Sequence, residues 1–274
     1  MIKLLRQNKT ALISGAVILV VIILSTLAPL LSKYSETSQD LAHRLMAPGN
    51  GHLFGTDELG RDVLTRILYG TRVSLFIALL PTALAVVVGT FAGVCAALFN
   101  GVIDFAIMRF ADVMLSIPGM LLSMVVLYTF GGSLSSVVIA LILIEWGGIA
   151  RVVRTRALEI YQKEYIEAAT VTGAGQGHII FFHIIPNLIP TLIVLFTLNI
   201  PSSILAESTL SFLGIGIQPP QVSLGLMTGY SRQYLFQMPW LSLAPSGMVM
   251  LLVLSFNFLG DAIRDILDPK RRQL

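Results

Sequence analysis

The segment that decides the fold is Glu167 to Asn187, which reads Glu-Ala-Ala-Thr-Val-Thr-Gly-Ala-Gly-Gln-Gly-His-Ile-Ile-Phe-Phe-His-Ile-Ile-Pro-Asn. It is an island of small and polar residues in a chain whose other segments are mostly long apolar runs. Alanine and glycine stand here where a membrane-spanning helix would carry leucine and isoleucine. We therefore expect this segment to lie outside the lipid and to form a surface on which another molecule docks.

The composition of the whole chain is that of an integral membrane protein. Of the 274 residues, 55% are hydrophobic and only 12% are charged, and the mean hydropathy is +0.83. A soluble domain needs far more polar surface than this. The net charge of +3 does not indicate nucleic-acid binding, because the basic residues form no patch or stripe. The single cysteine, Cys95, lies in an apolar run, which excludes a disulfide framework and a thiolate metal site.

Six apolar runs are long enough to cross a bilayer, which takes about 20 residues. They lie near residues 11–31, 74–98, 106–130, 134–150, 188–210 and 242–262, and the fourth is short. The first follows three basic residues but is too long for a secretory signal core, so we interpret it as a retained signal-anchor helix. The predicted fold is an all-α integral membrane protein with six transmembrane helices.

Lysine and arginine residues predict the orientation, because basic loops stay in the cytoplasm during insertion. With the N-terminus inside, twelve basic residues are cytoplasmic and six are external. The cytoplasmic set is Lys3, Arg6, Lys9, Arg109, Arg151, Arg154, Arg156, Lys163, Arg264, Lys270, Arg271 and Arg272, and the external set is Lys33, Arg44, Arg61, Arg66, Arg72 and Arg232. Both termini are therefore expected in the cytoplasm. We divide the chain into an N-terminal tail, first helix and external segment (1–73) and a five-helix core (74–274) with a cytoplasmic loop at 151–187.

The cytoplasmic loop is expected to form a helical hairpin. No proline or glycine interrupts the chain from Ala150 to about Thr172, so the fourth span should continue as a helix until Gly173 ends it. A second short helix over 179–185 should follow, with Pro186 and Asn187 turning the chain into the fifth span.

One face of the first loop helix carries small residues. Residues three and four apart share a helical face, so a partner groove can receive this one closely. Glu167, beside the face, can pair with a basic residue of the partner. An amphipathic helix lying on lipid headgroups is the alternative, but such helices usually carry rows of lysine or arginine opposite large apolar residues. The face consists of Tyr165, Ala168, Ala169 and Thr172.

Nucleotide and metal sites are not indicated by the motifs. No Gly-Lys pair exists in the chain, so the phosphate-binding loop G-x-x-x-x-G-K-[ST] is absent, and the glycines from 173 to 177 follow a helix instead of a strand. His178 and His183 are five apart and would not share an α-helical face, which argues against a metal pair. We expect His183 to pack at the base of the hairpin.

Acidic residues occur in two further places. In the external segment, a calcium loop is disfavoured because Arg61 lies among the acids and the glycine spacing does not fit. A structural role in closing the external face is expected there for Gly55, Asp57, Gly60, Arg61 and Asp62. Glu145, in the fourth span, is a functional-site hypothesis because charges inside the bilayer are costly. The alternative is a structural pair with Arg109 or Arg151 near the cytoplasmic interface.

The loop resembles a known family at this point. Glu167-Ala168-Ala169, Gly173, His183 and Pro186-Asn187 are similar to the EAA loop in the membrane subunits of bacterial ATP-binding-cassette (ABC) importers. In that loop a short coupling helix inserts into the ATPase. Two more segments, Phe54 to Ser74 and Phe256 to Pro269, are similar to the C-type permease of the dipeptide, oligopeptide and nickel group. The resemblance runs from about residue 40 to the end.

The resemblance implies a type I ABC importer permease fold with a cytoplasmic coupling-helix hairpin. It also implies a non-catalytic subunit of the bacterial inner membrane that works with a homologous second permease, one or two ATPase subunits and an external solute-binding protein. ATP and magnesium would be bound by the ATPases, with no cofactor in this chain. Peptides, nickel and metal chelates are the implied substrates. Where the group commonly has Ser-Trp-Gly, this chain has Ser223-Leu224-Gly225, which leaves the exact substrate open.

Two other functional classes require different features in the sequence. An ion-coupled secondary transporter should show inverted repeats, broken helices and several mid-membrane acids. An intramembrane hydrolase needs a nucleophile and a base that face each other, and the predicted spans contain serines but no histidine.

Overall fold

The protein is a bundle of long helices, described by a computed structural model for residues 8–49, 51–99 and 101–267. In chain order the main helices are α1 (Lys9–Thr26), α2 (Val63–Leu98), α3 (Val102–Ser116), α4 (Gly119–Phe130), α5 (Leu134–Tyr161), α6 (Glu164–Val171), α7 (Gln176–Phe212), α8 (Leu224–Ser231) and α9 (Trp240–Leu267). One-turn helices occur at Ala28–Leu31, Leu41–His43 and Arg232–Tyr234. Within the described ranges there is no strand and only two isolated β-bridges. The all-α prediction is confirmed.

In the part of the chain that the structure describes, five helices are each long and apolar enough to span a membrane, namely α1, α2, α5, α7 and α9. The third predicted span, 106–130, is wrong as a single straight helix, because α3 and α4 meet at an angle of 90°. Pro118 causes the break. It lacks an N–H donor, and it holds Ile117 in an extended conformation at φ −86° and ψ 127°. The six predicted spans are reached only when this bent pair counts as one.

Other boundaries also differ from the predictions. Helix α2 begins at Val63, not residue 74, because the Asp62 carboxylate caps it by accepting the Thr65 N–H at 2.8 Å. The border between the predicted segments 1–73 and 74–274 therefore lies inside α2. Helix α5 is not short, since it runs on to Tyr161. The helix predicted from Ala150 to Thr172 is interrupted at Lys163, which is extended at φ −79° and ψ 142°.

Helices α2 and α5 cross closely at the centre of the bundle. A Cβ added to Gly89 would lie 2.9 Å from the Trp146 carbonyl oxygen, and one added to Gly93 would lie 2.6 Å from that of Ala150. Small residues at such crossings let two backbones approach within van der Waals contact. Helix α7 packs against α2 and α9, and α1 packs against the outer side of α2 and α9.

Ion pairs join α3 to the end of α5. Arg154 Nε lies 2.6 Å from Asp104 Oδ1, and Arg151 Nη2 lies 2.6 Å from Asp112 Oδ1. Arg109 also contacts Asp112, at 3.3 Å. These contacts fix the segment of α5 that leads to the 151–187 loop.

Candidate coupling surface and buried polar groups

Helix α6 buries one side chain against the bundle. Ile166 is 1% exposed and packs in a cluster with Val153 and Ala157 of α5 and with Ile179 and Ile184 of α7. It is the only buried residue of α6. The helix therefore rests on the bundle by one edge and presents its remaining sides outward.

The turn after α6 is a Schellman motif, which satisfies the last carbonyl groups of a helix. The Gly173 N–H donates to the Thr170 carbonyl and the Ala174 N–H donates to the Ala169 carbonyl, both at 3.0 Å. Gly173 has φ +92°, a conformation that glycine adopts without steric cost. The prediction that Gly173 ends the helix is confirmed.

The second arm of the hairpin is longer than predicted. Residues 179–184 form a π-helical segment, in which the Ile185 N–H donates to the Ile180 carbonyl, and the helix continues without a break to Phe212. The predicted short helix and the turn at Pro186 and Asn187 are therefore wrong. The π segment shifts bonding to the i−5 carbonyl and accommodates the missing donor of Pro186 without ending the helix.

Aromatic contacts join the two arms at the base of the hairpin. The Tyr165 and His183 rings lie 6.0 Å apart, and the Asn187 side-chain amide donates to the His183 carbonyl at 2.6 Å and to the Tyr165 hydroxyl at 3.5 Å. The His178 and His183 rings are only 5.7 Å apart. The prediction that they would not share a helical face assumed α-helical periodicity, whereas residues 179–184 are π-helical.

The predicted small-residue face is largely accessible. Tyr165, Ala168 and Thr172 are exposed and Ala169 is half-buried, while Glu167 is exposed and forms no ion pair with any described residue. Large apolar side chains that the prediction omitted are also exposed on the two arms of the hairpin. We call the whole area the hairpin surface, and its apolar members are Val171 (83% exposed), Phe181 (68%) and Phe182 (67%).

The external acids form a compact structural cluster around Asp57. Its Oδ1 accepts the N–H groups of Leu59 at 2.9 Å and Arg61 at 3.0 Å, while its Oδ2 lies 2.7 Å from Arg61 Nε and 3.4 Å from Arg66 Nε. Arg61 also pairs with Glu58 at 3.1 Å. Both oxygens of Asp57 are thus occupied by protein donors.

The remaining external residues hold the loop against α2. Asp62 lies 2.8 Å from His52 Nδ1 and accepts the Thr65 hydroxyl at 2.7 Å in addition to capping the helix. A Cβ added to Gly55 would lie 2.2 Å from the Met46 carbonyl oxygen. The five predicted residues therefore lie in one folded segment that leads into α2.

Glu145 does not form the ion pair with Arg109 or Arg151 that we gave as the alternative to a functional role. Arg109 and Arg151 both contact Asp112, whereas the Glu145 carboxylate accepts a hydrogen bond from the Ser203 hydroxyl of α7. The structural pair with Arg109 or Arg151 is therefore wrong. Glu145 also lines a cavity of about 400 Å³ between α4, α5 and α7.

Sequence reasoning missed a second intramembrane acid, Glu207 of α7. It is fully buried, and its carboxylate accepts hydrogen bonds from Ser211 at 2.8 Å and Ser74 at 3.3 Å. The same rule that singled out Glu145, a charge within an apolar span, would have found it. Its partner Ser211 lies four residues on in the same helix and could have been predicted, whereas Ser74 could not, because it lies on another helix.

Residues 223–225, where this chain has Ser-Leu-Gly instead of Ser-Trp-Gly, pack inside the fold. Ser223 and Leu224 are 0% exposed, and the Leu224 N–H donates to Ser74 Oγ at 3.3 Å. A Cβ on Gly225 would lie 2.5 Å from the Ser208 backbone. The leucine at this position therefore fills a core site.

Comparisons with known proteins agree with this architecture. The profile of the binding-protein-dependent transport system inner membrane component matches residues 85–273, and the N-terminal TM domain of oligopeptide transport permease C matches residues 1–48. The chain is 38% identical to a dipeptide transport system permease protein, DppC, of Alkalihalophilus pseudofirmus over 270 residues, covering 98% of this chain and 89% of the relative. It is 33% identical to the oligopeptide transport system permease protein OppC of Bacillus subtilis over 268 residues, covering 98% and 88%.

Solved structures with the same fold include membrane transporters. A chain of the inward-facing MetNI methionine ABC transporter superposes with a TM-score of 0.61 at 20% identity, covering 75% of this chain and 97% of that one. A chain of an amino acid ABC transporter with histidines gives a TM-score of 0.55 at 17% identity, covering 77% and 95%. The predicted type I permease fold is confirmed.

Proposed function

The chain belongs to the family of binding-protein-dependent transport system inner membrane components, the permease subunits of ABC importers, and on that premise we propose that it conducts short peptides. The support is the relatives named as dipeptide and oligopeptide permeases, which align over nearly the whole chain. Family membership favours this function over an ion-coupled secondary transporter.

The proposed partners follow from the kind of transporter. A homologous second permease completes the translocation path, one or two ATPase subunits bind ATP and magnesium, and an external binding protein delivers the peptide. The chain itself is a multi-pass inner-membrane protein and contributes no catalytic group. We place both termini in the cytoplasm, although Lys3, Arg6, Lys270, Arg271 and Arg272, on which this orientation partly rests, lie outside the described residues.

The observation that carries the coupling role is the hairpin surface. Helix α6 buries only Ile166 and contacts α7 through Tyr165, while Ala168 and Thr172 are exposed. The apolar members of the hairpin surface are largely exposed as well. A helix of this kind fits a groove on a partner. We assign contact with the ATPase to Tyr165, Glu167, Ala168, Ala169 and Thr172, and the shape of the hairpin to Gly173, His183 and Pro186.

A bulky substitution at Ala168 tests this role. Ala168 is exposed, so Ala168→Trp leaves the chain's own packing intact while preventing a close fit in the groove. The variant should insert normally, co-purify poorly with its ATPase and lose ATP-driven peptide uptake. Ala42→Trp, at an exposed alanine of the external segment, is the matched control and should keep ATPase association. Normal association and uptake by Ala168→Trp would show that another surface transmits the motion.

We also propose roles for the two parts of the chain. The N-terminal part, residues 1–73, supplies the first helix and the external segment, and residues 74–274 form the permease core. Gly55, Asp57, Gly60, Arg61 and Asp62 keep the external segment folded over the bundle, in keeping with their contacts around Asp57 and the start of α2.

A further inference from the structure

The cavity between α4, α5 and α7 lies beside the middle part of α5 and opens to the surface of the chain, where Met120 and Ser202 are exposed. Glu145 is 11 residues after Leu134, the first residue of α5, which is about 16 Å along a helix and about half of a 30 Å hydrocarbon core. The cavity of about 400 Å³ falls within the size of small-ligand sites. Its lining includes the polar groups Ser123, Glu145, Asn199 and Ser202.

The Glu145 carboxylate lacks one hydrogen-bond donor. Its Oε1 accepts the Ser203 hydroxyl, while Oε2 is buried without a partner among the described residues. The Ser203 hydroxyl has one proton, and two acceptors lie within its reach, Glu145 Oε1 and the Asn199 carbonyl at 3.2 Å. Thr82 Oγ1 lies 2.7 Å from Ser203 Oγ, and either of these two hydroxyls can be the donor.

The other polar groups of the cavity are uncharged. The Asn199 amide nitrogen donates to the Leu195 carbonyl at 2.7 Å, which leaves its Oδ1 as an acceptor and its second N–H as a donor. The Ser123 hydroxyl is engaged with the Gly119 carbonyl at 3.0 Å. The lining contains no lysine or arginine, and no ion pair of Glu145 occurs within the described ranges. A ligand with several N–H donors and a positive charge complements such a site.

We propose that this cavity binds the α-ammonium group of a peptide in transit, with Glu145 as its counter-ion. An ammonium carries three donors and no acceptor, so it complements the one carboxylate of the lining and neutralises an otherwise costly intramembrane charge. Because Oε2 is buried in this conformation, binding requires the Glu145 side chain to turn into the cavity. Ser203 is the positioning residue that orients the carboxylate. The inference rests on the proposed peptide transport, since it assigns a recognition step within that path.

The test measures uptake by the assembled complex in proteoliposomes, with ATP and without an ion gradient. The probes are alanyl-phenylalanine with a free amino group and its N-acetyl derivative. The quantity compared is the uptake rate of the free peptide divided by that of the acetylated peptide. In Glu145→Gln this ratio should fall about tenfold, since a hydrogen bond to a charged group is lost. The binding protein's own preference cancels, because the same binding protein serves both variants. An unchanged ratio would overturn the inference and leave the carboxyl a structural group.

Controls separate charge from folding and from the wider function. Thr129→Ala removes an exposed hydroxyl of α4 outside the lining, and it should keep the wild-type ratio. If Glu145→Gln fails to assemble, Glu145→Asp and Ser203→Ala should each lower the ratio by a smaller factor, and a wild-type ratio in both would also contradict the proposal. If the wild-type complex assembles and hydrolyses ATP but takes up neither peptide, the peptide assignment and this inference are both overturned. An unchanged ratio in Glu145→Gln overturns this inference alone.

Discussion

At the scale of single residues, Gly60 is the tightest point of the external segment. It has φ +73°, and a Cβ there would lie 1.8 Å from the Asp40 carbonyl oxygen. Gly51 shares a positive φ of +92° but has nothing nearer than Tyr34 Oη at 3.6 Å. Both Gly→Ala variants carry left-handed strain of about 1–2 kcal/mol, but only Gly60→Ala adds a backbone clash. Thermal unfolding in detergent should show a clearly larger fall in Tm for Gly60→Ala, and equal Tm values would contradict the geometry.

Residue-scale predictions from sequence succeeded where the cause was local. Gly173 was identified as a helix end because glycine alone reaches its conformation freely. Glu145 was noticed as an anomaly, but its partner was wrong because Ser203 lies 58 positions away and its proximity depends on how α5 packs against α7. Glu207 was missed because the rule that a charge inside an apolar span indicates a functional site was not applied to the fifth span.

At the scale of elements, the hairpin depends on the turn at Gly173. A β-branched residue there must adopt φ +92°, although nothing crowds its side chain, so the penalty is one of backbone conformation alone. Gly173→Val should weaken ATPase co-purification and ATP-driven uptake, whereas Gly173→Asn should be milder, since asparagine tolerates this region. Gly177→Val, in the same hairpin at a position with open space, is the control. Equal losses at both positions would exclude the turn as the cause.

A second element-scale prediction concerns the crossing of α2 and α5. Gly93→Val places a side chain against the Ala150 carbonyl oxygen, which is 2.6 Å from the position of a Cβ and belongs to rigid backbone. The helices must separate, so membrane accumulation and Tm should both fall. Gly15→Val, on α1 with nothing within 4 Å, should leave both unchanged. A Gly93→Val variant as stable as Gly15→Val would show that the two helices do not approach as described.

Hydropathy located the spans, but proline chemistry decided their shape. Two prolines in similar apolar surroundings had opposite effects: Pro118 breaks α3 from α4, while Pro186 lies within a continuous α7. A π segment precedes Pro186, but other prolines also lie inside continuous helices, so proline alone does not decide whether a helix breaks. They are Pro81, Pro190, Pro201 and Pro245. A π segment has no clear signature in one sequence, so the predicted turn there could not have been corrected without the structure.

At the scale of the whole molecule, the chain should depend on a partner for ATP chemistry. The glycine-rich stretch 173–177 is a Schellman turn followed by a helix start, and no lysine follows a glycine anywhere in the chain. A phosphate-binding loop needs both a strand-to-helix turn and that lysine. The purified chain alone should neither bind nor hydrolyse ATP in a filter-binding and phosphate-release assay. Turnover by a preparation shown to be free of contaminating ATPases would contradict this.

The orientation of the whole bundle is the last prediction, because basic-residue counts supply it and packing does not. Cysteine labelling in a Cys95→Ala background tests it with an impermeant thiol reagent applied to intact, wall-free cells. Ser223 is buried and would not react on either side, so the external probe belongs at Gln221, which is exposed two residues earlier. Gln221→Cys should react in intact cells, and Gln176→Cys, exposed at the start of α7, should react only after lysis. The reverse pattern would place the hairpin surface outside the cell, away from any ATPase, and would overturn the coupling role together with the orientation.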